Sequence, residues 1–292
     1  MARFYSKRFS RNCIYFWFSE ASFRRFASFM TVARWSDLPS RLYSASVLGL
    51  AGFLAMFFGG LFLLVTVAGL VFVMHYELAK MQSPLFLEAP IYSSIAALIT
   101  ILFLTYADFW ILSLSILAVS LICQYFLMST QKLLGTLYSL IIILGGFYII
   151  ELRSDFGILF VSWVVFLVIV TDTFGYFGGR LIGGPKFFIS ISPNKTWAGV
   201  LSGWAGAFLC TYFFMEFNAF TDFTFNAQTL FLFAIILSFG SQVGDLFESF
   251  MKRKCKVKDS SNIIPGHGGF LDRFDGIIVA IVICGILEPL IS

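Results

Sequence analysis

Residues 229–254 read TLFLFAIILSFGSQVGDLFESFMKRK. The first half is apolar, and the end is a basic cluster, Lys252-Arg253-Lys254. An apolar helix of about 20 residues crosses a bilayer core, and basic residues at its end mark a membrane boundary. Within it, Ser241, Asp245, Glu248, Ser249 and Lys252 recur at helical spacing and form one polar stripe. An acid inside such a helix costs about 2.5–3.5 kcal/mol on insertion scales. Asp245 precedes Lys252 by seven residues, which places it roughly 10 Å below the boundary of a straight helix. An acid so placed faces a wet cavity or a cation, or else a buried Arg or Lys that neutralises it. Gly240 and Gly244 form GxxxG, a spacing that lets a second helix approach closely.

The rest of the chain repeats the pattern. Of 292 residues, 59% are hydrophobic and 12% charged, against about a quarter charged in a soluble domain. Mean hydropathy is +0.89. Apolar segments lie roughly at 43–58, 59–79, 92–108, 110–129, 134–151, 157–174, 197–216, 229–251 and 274–291. The first two are separated by little more than Gly59-Gly60. The runs lack the alternation of a membrane β-barrel. The expected fold is therefore an all-α polytopic membrane protein with about nine transmembrane helices. Cys13, Cys123, Cys210, Cys255 and Cys284 show no CxxC spacing, which excludes a zinc ribbon and gives no disulfide framework.

Basic residues give the orientation. Residues 1–41 hold eight Lys or Arg and two acids, with no cleavable signal pattern. With this end in the cytoplasm, alternate loops carry Lys80, Lys132, then Arg180, Lys186 and Lys195, then Lys252 to Lys258 with Arg273. The opposite loops carry little basic charge; Arg153 is the exception, flanked by Glu151 and Asp155. This follows the positive-inside rule. Residues 1–40 form a basic, aromatic extension, either lying on anionic lipid or unstructured, and Met30 is an alternative start. Residues 41–292 form the transmembrane domain.

The count puts two polar, glycine-rich loops, 175–196 and 252–273, on the cytoplasmic side. In the second, five basic residues fall within positions 252–258, and Pro265-Gly266-His267-Gly268-Gly269 supplies backbone able to fold tightly and present N–H groups, as phosphate sites do. Gly268 is therefore a substrate-binding candidate. Asp272, Arg273 and Asp275 open the last span. Carboxylates with substrate phosphates suit Mg²⁺, whereas a lone His267 fits a structural or hydrogen-bonding role better than a metal ligand. In the first loop, Asp172 closes span six, Arg180 lies among four glycines, and Lys195 precedes span seven. Asp172, Arg180 and Lys195 are candidates for substrate binding. GRLIGGPK fails the Walker A pattern, because Pro185 stands at the lysine position. These residues point to a polyanion held through divalent metal at the membrane face: nucleotide phosphates or a phospholipid headgroup.

The stretch SFMKRKCKVKDSSNIIPGHGGFLDRFD, residues 249–275, resembles the signature of the CDP-diacylglycerol synthases, or phosphatidate cytidylyltransferases. DTFGYFGGRLIGG and SPNKTWAG resemble that family's second polar loop. Asn194 and Ala198 replace an expected Lys and Glu, and Ser261 a usual glycine; Asn194 is therefore left out of the site. The resemblance covers about residues 40–292. It implies an enzyme of the bacterial inner membrane that converts CTP and phosphatidate to CDP-diacylglycerol and pyrophosphate. It also implies Mg²⁺, room for a second cation, and a homodimer. Carried onto this sequence, the catalytic group is Asp245, Asp272, Lys252 and Arg273. Asp245 and Asp272 hold the metal, and Lys252, Arg253, Lys258, His267 and Arg273 meet phosphate. CTP, phosphatidate and membrane lipid are the expected partners, with no nucleic acid. The alternatives are another CTP-using lipid enzyme, such as a CDP-archaeol synthase or a polyprenol kinase, and an anion transporter. A transporter needs charge near the bilayer midplane, whereas here charge gathers at one face.

Overall fold

The computed structural model describes residues 38–83, 88–106, 109–188, 190–217, 226–264 and 268–287. Most of the basic N-terminal extension, Met30 and His267 lie outside the described residues. Among the described residues there are nine helices and one two-stranded sheet. In chain order they are α1 (Leu38–Phe58), α2 (Gly60–Gln82), α3 (Ala89–Tyr106), α4 (Trp110–Leu127), α5 (Lys132–Asp155), α6 (Gly157–Leu181), β1 (Lys186–Phe188), β2 (Ser192–Thr196), α7 (Trp197–Glu216), α8 (Ala227–Lys254) and α9 (Leu271–Leu287). Seven of the helices, α2 to α8, are long and apolar enough to cross a membrane. The chain is a helical, polytopic membrane protein.

The helices pack as two groups. In the first, α2 and α5 stack with α3 and α4; in the second, α6 lies along α7, and α8 along α9. Helix α5 joins them by packing on α9, with Tyr138, Ile142 and Ile143 fully buried. Interhelical hydrogen bonds hold the first group where apolar packing alone gains little over lipid. His75 is bonded to Ser139 and, 3.1 Å away, to Ser93. Gln124 donates to Gln82 at 2.9 Å, which in turn donates to the Thr130 and Gln131 carbonyls, each at 3.0 Å.

Gly59 (φ +62°) and Gly60 (φ +49°) break α1 from α2 in a backbone conformation that other residues rarely adopt. Arg153, expected in a loop, lies in the last turn of α5 and has a local task there. Its Nε donates to the Met56 carbonyl at 2.8 Å and so satisfies an orphan acceptor at the end of α1.

Two expectations need correction. Helix α6 does not stop at residue 174 but runs to Leu181. Its glycines are packing positions: a side chain at Gly199 of α7 would meet the Gly175 carbonyl at 2.7 Å, so the two backbones are nearly in contact. The chain is also not purely helical. Gly183 (φ +70°) and Gly184 (φ +95°) turn it out of α6 into an antiparallel hairpin pairing Lys186 with Thr196 and Phe188 with Ser192. Thr196 then caps α7, its hydroxyl accepting from the Gly199 N–H at 3.1 Å.

The GxxxG reading of α8 fits the structure. A side chain at Gly244 would meet the Asp275 carbonyl at 2.7 Å, and one at Gly276 the Ser241 carbonyl at 3.1 Å. This close crossing sets the acid of α9 beside those of α8.

Candidate active site

Asp245 and Glu248 share a face of α8 because they are three residues apart. With Asp275 from α9 they offer three carboxylate oxygens within 4.8 Å of one another. Glu248 is only 1% exposed. Its Oε2 accepts from Lys252 Nζ at 2.7 Å, while its Oε1 is buried without a hydrogen-bond partner. A buried carboxylate oxygen with nothing to bind is costly. Beside two further carboxylates it belongs to the oxygen-rich donor set that a hard divalent cation takes. The residues present therefore fit such a cation.

Asp272 opens α9 on a different set of partners. Its Oδ1 accepts from Lys252 Nζ at 2.6 Å. Its Oδ2 accepts from the Ser260 N–H at 3.0 Å, the Ser260 hydroxyl at 2.9 Å and the Gly269 N–H at 2.8 Å. Both oxygens are thus engaged by the protein. Lys252 bridges Glu248 and Asp272 from below. Lys195 of β2 reaches across from the hairpin to Asp245 Oδ2 at 2.5 Å and to the Gln242 carbonyl at 3.3 Å.

A cavity of about 670 Å³ opens between these elements. Asp172, Arg180, Lys195, Asp245, Asp272 and Arg273 all line it, so both polar loops contribute to one cavity. Lys186, Phe187, Asn194, Gln242 and Asp275 also line it. Arg180 donates from Nη1 to the Tyr176 hydroxyl at 3.1 Å. Acids and cations interleave in this cavity, which can hold phosphates through the cations and a metal ion through the acids. Arg253 and Lys258 are exposed and do not line the cavity. Gly268 (φ +90°) sits in a bridge with Ile264, its α-carbon pressed toward Asp272: a side chain there would meet Asp272 Oδ2 at 2.9 Å.

Residues 39–288 match the model of the cytidylyltransferase family, a span that takes in every acid of the cavity and both loops. The chain belongs to that family. Among its relatives, a phosphatidate cytidylyltransferase of Staphylococcus saprophyticus is 35% identical over 240 residues, covering 78% of this chain and 90% of the relative. One from Staphylococcus epidermidis is 34% identical over the same shares of both chains. One from Staphylococcus haemolyticus is 41% identical over 145 residues, 49% of this chain and 54% of its own.

Several residues of this cytidylyltransferase site escaped the sequence reading. The sequence shows Glu248 and Asp275 as acids without joining them to the expected metal pair, Asp245 and Asp272; their signal is the i, i+3 spacing on α8 and the GxxxG contact that draws α9 in. Asn194, which departs from the family pattern, lines the cavity all the same. Gln242, whose Nε2 donates to the Val200 carbonyl at 3.3 Å, gave no signal at all.

Proposed function

We propose that this chain transfers the CMP moiety of CTP to phosphatidate, releasing pyrophosphate and forming CDP-diacylglycerol for phospholipid biosynthesis. The observation that carries the reading is the shared cavity: acids and cations from α6, the hairpin, α8 and α9 all line it. A phosphatidate oxygen attacks the α-phosphorus of CTP. The bond from that phosphorus to the bridging oxygen breaks, and pyrophosphate leaves with the electron pair. The phosphate nucleophile is already ionised near neutral pH, so no strong base is required. The difficulty is bringing two polyanions together.

Arg180, Lys186, Lys195 and Arg273 line the cavity and offset that repulsion. Asp245, with Glu248 and Asp275 beside it, would hold Mg²⁺, and the family resemblance adds a second cation. Mg²⁺ bound there would lower the charge on the phosphates and stabilise the leaving group. Asp272 fixes Lys252, Ser260 and Gly269, and joins the metal only by exchanging one of its present donors. Arg253 and Lys258 serve as outer contacts for incoming phosphate, and His267 and Gly268 as donors from the loop. Because its tails stay in lipid, phosphatidate enters sideways between helices.

The finer topology is part of the same reading. All nine helices cross or enter the membrane, the N-terminus and the cavity face the cytoplasm of a bacterial cell, and residues 41–292 act as one domain behind the 1–40 extension. The enzyme works as a homodimer, with no nucleic-acid partner. Reporters fused after Lys195 and after Lys258 should both report cytoplasm; a periplasmic signal from either breaks this arrangement.

The activity itself is tested with purified protein, phosphatidate, Mg²⁺ and CTP labelled at the α- or the γ-phosphate. Label from the α position should enter lipid, and label from the γ position should leave in pyrophosphate. Lipid labelled from the γ position would make the protein a kinase. No labelled lipid from either position would overturn the reading.

A further inference from the structure

Every residue assigned to the site so far lies in the carboxy-terminal half of the chain, from Asp172 onward. The structure adds one from the other half. Glu77 lies on α2 and is 0% exposed. A buried carboxylate usually pairs with Lys, Arg or a metal. Among the described residues, four neutral donors take that place. Glu77 Oε1 accepts from the Ser261 hydroxyl at 2.5 Å and the Phe270 N–H at 3.1 Å. Oε2 accepts from the Ser260 hydroxyl at 3.2 Å and the Leu271 N–H at 2.8 Å. The two N–H groups stand where α9 begins and have no partner inside the helix, and the positive end of the helix dipole favours a carboxylate there. Glu77 therefore caps α9 from a helix nearly two hundred residues earlier in the chain.

The neighbours of this cap are the working groups of the cavity. Ser260 links Glu77 to Asp272: its hydroxyl, with one hydrogen, lies within reach of both carboxylates, and its N–H donates to Asp272. Gly269, buried beside them, donates its N–H to Asp272, and a side chain on it would stand 2.7–2.8 Å from the two Glu77 oxygens. Asp272 in turn holds Lys252, and Lys252 holds Glu248. The path from Glu77 to the acid cluster is thus unbroken: Glu77, Ser260, Asp272, Lys252, Glu248.

We infer that Glu77 is a positioning residue for the transfer: it docks the 260–261 turn and the start of α9, and so sets where Asp272, Lys252 and Asp275 stand. This rests on the cytidylyltransferase reading of the cavity. It gives the amino-terminal half a part in the chemistry beyond anchoring the chain in lipid. A carboxylate is needed rather than an amide, because the Phe270 and Leu271 N–H groups each bring a hydrogen to one of its two oxygens. In Glu77→Gln the amide N–H₂ must face either Phe270 N–H or Leu271 N–H, donor against donor, on one side of the fork.

The test uses full-length protein purified in detergent, as wild type, Glu77→Gln and Ser261→Ala, with kinetics and amide hydrogen exchange measured on each. Glu77→Gln is expected to elute as wild type. Its kcat should fall by about 10- to 100-fold, the size of a lost hydrogen bond to a charged group. KM for CTP should stay close to wild type, because Arg180, Lys186 and Lys195 come from α6 and the hairpin. Exchange should quicken at 268–272 and leave α3 and α4 unchanged. Should Glu77→Gln fail to fold, Ser261→Ala decides, since it removes one of the four donors and should show the same split with a smaller fall. Fast local exchange with wild-type kcat would reduce the cap to a structural fastening and overturn the proposal, as would unchanged exchange at 268–272. A wild type that makes no CDP-diacylglycerol sinks the reading beneath it instead, while the exchange data still report on the cap.

Discussion

Asp245→Asn is expected to lower CTP turnover about 10³-fold, a loss of the order seen when a charge-stabilising group is removed from a transfer site. The fold is expected to survive. Asp245 joins two sets of partners: the carboxylate cluster with Glu248 and Asp275, and Lys195 from the hairpin at 2.5 Å. Asparagine keeps the size of the side chain and loses the charge that both partners use. The ion pair to Lys195 contributes little to stability, because the two side chains are 38% and 25% exposed, and exposed pairs are worth about 0–1 kcal/mol. A neutral amide also enters a membrane helix more cheaply than an acid. Rate and stability therefore part company in this variant. The check is CDP-diacylglycerol formation over a range of Mg²⁺ concentrations, beside a thermal unfolding curve. Part of the rate should return at high Mg²⁺, since Glu248 and Asp275 remain. Turnover like that of wild type sinks the metal assignment. Early unfolding with normal turnover per folded molecule would mean that Asp245 serves only to neutralise Lys195.

What could be read in the sequence depended on how far apart the interacting residues lie. The helices were legible because length and hydropathy are local properties: among the described residues each apolar segment falls on a helix, and seven of these helices are long and apolar enough to cross a membrane. The crossing of α8 and α9 was legible because Gly240 and Gly244 lie four residues apart and imply a partner, although not which one. The hairpin was not. Its strands of three and five residues hold Pro193, Asn194 and Lys195 and show no alternation, so nothing sets them apart from a loop. Residues 175–181 read as loop in the sequence because three glycines in seven residues seldom favour a helix, but backbone contact with α7 overrides that preference. Glu77 was the least legible: a single acid near the end of a span reads as a charge at the interface, and its partners Ser260, Ser261, Phe270 and Leu271 lie more than 180 residues away. The two acids of α9 show the same limit from close range. Whether Asp272 and Asp275 act together depends on where the helix begins, and it begins at Leu271, one residue before the first of them.

Lys252→Met is expected to destabilise the folded protein by about 3–5 kcal/mol, the cost of leaving a buried charge without its partner. Lys252 Nζ lies 2.7 Å from Glu248 Oε2 and 2.6 Å from Asp272 Oδ1, and the three side chains are 15%, 1% and 7% exposed. The two acids do not lose equally. Asp272 keeps Ser260 and Gly269 as donors. Glu248 keeps only neighbouring carboxyl groups, since its other oxygen has no donor. The damage should therefore centre on Glu248, which gives the prediction a second arm. Adding Glu248→Gln to Lys252→Met should recover most of the stability, whereas adding Asp272→Asn should recover little. Neither double variant should recover turnover, because each lacks Lys252 and an acid of the site. Thermal unfolding of the purified variants in detergent measures all three. Mg²⁺ supplies the last contrast: a cation seated among Asp245, Glu248 and Asp275 takes over the task of Lys252 toward Glu248. Added Mg²⁺ should therefore raise the unfolding temperature of Lys252→Met more than that of wild type, and lose that extra effect once Glu248 is Gln. Equal shifts in both backgrounds would mean that Glu248 does not face the cation, and that its free oxygen has another explanation.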